Sequence, residues 1–190
     1  GSYLVRGSVA REVKAATKSG NFYTGNLSES KNVMHIPTGQ IQQDVQRTAT
    51  AALNSGTSPE TRVEYGGHVL FGDTNARIWD AGTTMQTQIL SDGSTEKKWS
   101  VKPFKIGGKN NQFGGLISQI QFFWHIHPNG STPSRGDIWW VGELRKYGFT
   151  GNSFLIDINN NRVIFFNEKG SLMNIKYDDF KRMGKQEDIK

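Results

Sequence analysis

His125, His127, Ser134 and Asp137 fall within one short run, His125-Ile126-His127-Pro128-Asn129-Gly130-Ser131-Thr132-Pro133-Ser134-Arg135-Gly136-Asp137. Side chains alternate across an extended strand, so His125 and His127 would share a face. Two residues of strand separate them by about 7 Å, near enough for both rings to turn toward one ion. Serine three residues before aspartate is a helix-capping pattern, with Ser134 at the N-cap and Asp137 at the third helical position. A helix that starts directly after the strand would carry Asp137 back toward the imidazoles. Two histidines and one carboxylate leave a fourth tetrahedral position for water, which is the pattern of a catalytic zinc site and not of a closed structural one. Taken singly, each piece has a plainer reading: two partly exposed polar residues, or an ordinary helix cap. Their coincidence in this order points to a metal.

A hydrolytic metal site also needs a base to take the proton from its water. Carboxylates upstream are Glu60, Glu64, Asp73, Asp80, Asp92 and Glu96. Glu64 stands out because it opens an apolar strand and precedes Tyr65-Gly66-Gly67. A carboxylate there sits at a sheet rim, with small neighbours that leave room for substrate. The plain reading is a solvated glutamate at a strand end.

The elements that would position these groups can be read from the pattern. Residues 116–127 are apolar and bounded by glycines and Pro128, which predicts a strand. Residues 128–133 form a turn, and a helix opens at Ser134 and runs to about Tyr147. Ile138, Val141 and Leu144 form its buried face, and Gly148 stops it. Residues 40–54 read as a helix with Ile41, Val45, Thr48, Ala49, Ala52 and Leu53 on one face. Residues 63–72 read as a strand in which Gly66-Gly67 implies a bulge or a close backbone approach. Residues 76–79 and 86–90 are short strands, and 99–106 alternates less cleanly. Residues 107–115 are rich in Gly and Asn, lack GxxxxGK[ST], and read as a surface loop, not a phosphate loop. Residues 152–158 and 162–166 form a hairpin around Asn159-Asn160-Asn161, and 171–177 adds a strand. Residues 9–16 fit a helix or a strand equally. The class is α/β (α+β), a mixed sheet flanked by helices. Residues 1–40 read as a polar arm or linker and 41–190 as the domain.

Composition sets the outer bounds. The 190 residues suit one domain with room for an arm. Hydrophobic residues are only 35%, but 11 Phe and 5 Trp supply an aromatic-rich core. No apolar run approaches the ~20 residues of a transmembrane helix. The formal charge of +6 permits an anionic partner. The cations are scattered, however, and nucleic acid is not the expected partner. The absence of Cys excludes disulfides, thiolate ligands and a Cys nucleophile, and leaves the compartment open between cytoplasm and exterior. Gly1-Ser2 reads as a cloning remnant, and no signal peptide is expected.

The residues Glu64, His125, His127, Pro128, Ser134 and Asp137 together resemble the motif of the JAMM (MPN-plus) zinc metallopeptidases: an upstream Glu, then HxHP, a short turn and SxxD. An Ala-containing helix ahead of Glu64-Tyr65-Gly66-Gly67 is similar to the bacterial JAB-like branch associated with secreted and polymorphic-toxin proteins. The resemblance covers roughly residues 41–166 and implies a JAB-MPN-type, cytidine-deaminase-like architecture. It implies that His125, His127 and Asp137 bind Zn2+, that Glu64 is the general base and later proton donor to the leaving amine, and that Ser134 stabilises the oxyanion. Two positions depart from the pattern. Ile126 stands where Ser or Thr is common, and it should point away from the metal. The turn from His127 to Ser134 is about one residue shorter than the common spacing, and the placement of Asp137 depends on that turn.

The expected function is a zinc peptidase or isopeptidase acting on a protein or peptide. Two other classes stay open: a non-catalytic MPN-like interaction module, and a metal-dependent nuclease-type toxin that uses the histidines on phosphodiesters. Positive charge is the nuclease reading's only support, and the motif order argues against it. Substrate choice and oligomeric state have no decodable signal.

Overall fold

A computed structural model describes residues 21–23, 33–82, 86–98, 117–130 and 132–185. Its centre is a six-stranded mixed sheet. The strands that build it are β3 (Gly66–Leu70), β4 (Arg77–Ile78), β7 (Ile120–His127), β8 (Ser153–Asp157), β9 (Arg162–Asn167) and β10 (Gly170–Lys176). The order across the sheet is β10-β9-β8-β7-β3-β4. Only β7 and β8 run parallel; the other neighbours are antiparallel. Two short hairpins stand outside it: β1 (Asn21–Tyr23) with β2 (Val33–His35), and β5 (Gln86–Ile89) with β6 (Thr95–Lys98). The helices are α1 (Gly39–Asn54), α2 (Arg135–Arg145) and α3 (Tyr177–Gly184). The chain therefore has the α/β class expected of it. No helix among the described residues is long and apolar enough to cross a membrane.

The sheet divides the core in two. On one face lie Trp124, Ile126, Phe154, Ile156, Val163 and Phe165, packed with Val45, Ala49 and Ala52 of α1 and Phe180 and Met183 of α3. On the other lie Phe123, Leu155, Ile164 and Phe166, packed with Val141 and Leu144 of α2. Strand alternation produces this division, because odd and even positions of β7 and β8 project to opposite sides. Burial on both faces explains why β7 and β8 read as continuous apolar runs and not as alternating ones. The parallel β7–β8 pair requires a crossover connection, and α2 supplies it.

On the α1 face the Trp124 indole N–H donates to Thr48 Oγ1 at 3.0 Å, tying the helix to the central strand. Asp44 is also buried on α1 and accepts from the Ala76 amide at 2.9 Å and Gln40 Nε2 at 2.9 Å. The expected helical face of residues 40–54 thus holds for Val45, Thr48, Ala49 and Ala52, whereas Leu53 lies exposed. The core also takes in Met34 and Ile36, both upstream of position 41. The expectations for residues 9–16, 99–106 and 107–115 lie outside the described residues.

Candidate metal centre

Three elements converge on the α2 face of the sheet. β7 ends in His125 and His127, which project to that face while Ile126 between them is buried in the opposite core. Ser134 caps α2 immediately after the turn. Its Oγ accepts from the Asp137 amide at 3.1 Å, and its own amide donates to Asp137 Oδ2 at 2.8 Å. This reciprocal pair is a capping box in which the third residue is Asp. It aims the Asp137 carboxylate back at the strand end.

The outcome is a compact triad. His125 Nε2 lies 2.7 Å from His127 Nε2. Asp137 Oδ1 is 3.2 Å from His125 Nε2, and Oδ2 is 3.2 Å from His127 Nε2. One ligand atom from each residue lies within 4.8 Å of the others, and both histidines are buried. Four ligands at about 2.0–2.1 Å around a tetrahedral ion stand about 3.3 Å apart. The two histidine–aspartate approaches are close to that spacing but use different carboxylate oxygens, so a single-oxygen ligand would need the carboxylate to turn, and the histidine–histidine edge would need to open by about 0.6 Å. Protons serve this cluster poorly. Each Nε2 carries at most one hydrogen, yet each faces both another Nε2 and a carboxylate oxygen. A single cation would satisfy all three groups at once.

The electrostatics favour positive charge here. Burial alone would lower the His125 pKa, but the adjacent Asp137 carboxylate outweighs it, with a smaller contribution from Glu64, and the pKa is raised. Burial alone would raise the Asp137 pKa, but the His125 and His127 imidazoles hold it well below the usual carboxylate range.

Glu64 joins the site through strand register. Gly66 pairs with His125 across the β3–β7 ladder, and the Ile126 amide donates to the Tyr65 carbonyl at 2.8 Å. Continuing that register sets Glu64 opposite His127, on the face shared by the two histidines. The Glu64 side chain is buried, and its backbone carbonyl accepts from Gly82 N at 2.9 Å. Gly66 and Gly67 are close approaches, as one of their two readings had it. A Cβ at Gly66 would lie 2.6 Å from the Trp124 carbonyl and 2.8 Å from the Trp79 ring, and one at Gly67 would lie 2.5 Å from the Trp124 ring. The register shift lies further on, between the Val69–Phe122 and Leu70–Ile120 pairs, and the extra residue there is Gln121 of β7, not a residue of β3.

Pattern reading of the chain passed over one neighbour on this face, His68. Its Nδ1 accepts from Trp79 Nε1 at 2.9 Å, holding the indole against Gly66. The alternation of 64, 66 and 68 leading into β3 was the available signal.

Comparison of the chain with protein-family models, with curated proteins and with solved structures finds no match. The likeness to the JAMM motif therefore rests on the sequence pattern alone.

Proposed function

We propose that the chain is a zinc-dependent peptidase or isopeptidase that hydrolyses an amide bond with a metal-activated water. The observation that carries this reading is the shared face: a two-histidine, one-aspartate cluster with Glu64 beside it. His125, His127 and Asp137 would hold the ion. Zinc bound there would lower the pKa of its water toward ~7 and polarise the substrate carbonyl. Glu64 would accept the proton released as water attacks and deliver it to the leaving amine. Ser134 Oγ accepts from the Asp137 amide, so its own hydrogen can be donated to the oxygen of the carbonyl under attack. Such a donor is worth about 3 kcal/mol in the transition state. The domain's similarity to the JAB-MPN architecture belongs to the same proposal.

The test has two stages. Purified protein should contain one equivalent of metal, identified by elemental analysis as zinc and lost in His125→Ala. Glu64→Gln should then keep the metal and lose cleavage of a panel of fluorogenic peptides and ubiquitin-like isopeptide conjugates. A chain that binds metal but cleaves nothing in the panel fits the interaction-module reading. Hydrolysis of DNA or RNA that disappears in Asp137→Ala would replace the peptidase with a nuclease.

A further inference from the structure

The turn joining β8 to β9 contains Asn159-Asn160-Asn161 between Asp157 and Arg162, a cluster the proposed chemistry does not use. Asp157 is fully buried and aligned with His127 across the parallel β7–β8 pair. Among the described residues, its side-chain hydrogen bonds run to its own turn. Oδ1 accepts from the amides of Asn159 and Asn160 at 3.2 Å each, and Oδ2 accepts from Asn160 Nδ2 and Arg162 Nε at 2.8 Å each. Four donors occupy the carboxylate's acceptor sites, so its role is to fix the turn's shape. Asn161 takes the left-handed conformation, φ 52°, that asparagine tolerates.

So held, the turn reaches out to both segments that carry the site. Asn160 Nδ2 and the Arg162 guanidinium each donate to the Gly130 carbonyl at 3.4 Å. Gly130 lies between His127 and Ser134, in the turn that decides where Asp137 stands. It has φ 77°, a conformation that favours glycine, and a Cβ there would press on Asn160 Nδ2 at 3.0 Å. On the other side Arg62, two residues before Glu64, donates to Asn159 Oδ1 at 3.0 Å. One rigid turn thus touches the approach to Glu64 and the loop between the metal ligands, which lie far apart in sequence.

We propose that the 157–162 turn is the positioning element of the metal centre, with Arg162 and Asn160 as positioning residues that set the Gly130 loop and through it Asp137. This rests on the metal-site reading above. Arg162 can do this because its planar fork bonds Asp157 and Gly130 at once. A lysine at that position supplies the charge for Asp157 from a single point on a flexible stem and lacks the fork. Bridging and neutralising are therefore separable.

The experiment compares wild type, Arg162→Lys and Asn160→Ala by thermal melting, by titration of metal-free protein with Co2+ followed in visible absorption, and by amide hydrogen exchange over residues 130–137. The expected result is a near-native melting temperature in Arg162→Lys, with Co2+ affinity roughly tenfold weaker. The Co2+ absorption bands should change, and exchange through 130–137 should quicken. Asn160→Ala, which leaves the Arg162–Asp157 pair intact, should move the same readouts by less and covers the case in which Arg162→Lys does not fold. Wild-type Co2+ affinity, spectrum and exchange in both variants, whatever their melting temperatures, overturns the proposal. If the wild type takes up no Co2+, the metal-site reading fails. The exchange data then decide the positioning claim alone: faster exchange confined to 130–137 upholds it, and unchanged exchange overturns it.

Discussion

Ser134 and Asp137 bond each other twice, each through its amide to the other's side chain. Asp137 Oδ2 serves both this box and the approach to His127. One atom thus serves both the helix cap and the contact with His127. Ser134→Ala removes the cap oxygen, and the expected cost is about 1 kcal/mol of stability in chelator-treated protein, measured by urea unfolding. Metal affinity should fall several-fold, because the Asp137 amide loses the hydroxyl that fixes the first turn of the helix, although the backbone amide of residue 134 still donates to the carboxylate. Ser134→Thr keeps a capping hydroxyl and should restore both. An unchanged affinity in Ser134→Ala would mean that Asp137 holds its place without the cap.

Asp137→Asn separates charge from shape. The amide oxygen can still accept from the Ser134 backbone, so the helix start should survive, while loss of the carboxylate's pairing with His125 and His127 should cost about 1 kcal/mol or more in chelator-treated protein. The ion, however, loses its one anionic ligand. Metal affinity should drop by at least roughly a hundredfold, read by competition with a chelating dye. Retention of wild-type affinity would remove Asp137 from the ligand set.

Much of this was legible in the sequence because it is local. HxH on an apolar strand fixes a shared face by alternation alone, and SxxD at a helix start fixes the box. The β8–β9 hairpin followed from apolar runs around three asparagines. What was not legible depends on pairing between distant segments. Helix α3 escaped notice because its polar residues are mixed in sign, and only the packing of Phe180 and Met183 beneath the sheet reveals the apolar face. Glu64 could be nominated but not placed, since its face depends on the Gly66–His125 register. The hold of Arg162 and Asn160 on Gly130 is invisible without the fold that brings position 130 to position 160.

Gly67 offers a test of that register. A Cβ there would lie 2.5 Å from the Trp124 ring and 2.6 Å from the Arg77 carbonyl. The ring cannot retreat easily, because its N–H is bonded to Thr48 and its face is stacked on Phe154. Gly67→Ala should therefore destabilise by about 2–3 kcal/mol through overpacking, measured by urea unfolding. Gly72→Ala is a useful contrast: its φ of 86° strains the backbone, but its Cβ would meet nothing within 4 Å. It should cost less, about 1 kcal/mol, from backbone strain alone. Equal costs at the two positions would argue against the tight Gly67–Trp124 approach.

His68 should make the fold acid-sensitive independently of the metal. Burial lowers its pKa to about 4, with the positive charge of Arg77 adding to the effect and Asp73 opposing it. Protonation would also place a hydrogen on Nδ1, which now accepts from Trp79. The folded pKa lies below the unfolded value of about 6.5. The unfolded chain therefore binds the proton first as pH falls. The stabilising contribution of neutral His68 is complete above pH 6.5 and is lost as pH falls through 6.5 toward 4. The slope contributed by one such group is at most about 1.4 kcal/mol per pH unit. Burial lowers the pKa of His35 to about 4 as well, so it acts in the same window. Urea unfolding in chelator between pH 7 and 4.5 should show wild-type stability falling faster than that of His68→Gln, whose amide oxygen can still accept from Trp79. The two curves should converge toward low pH, since glutamine does not titrate. Parallel curves would mean that His68 takes up its proton as readily in the fold as out of it.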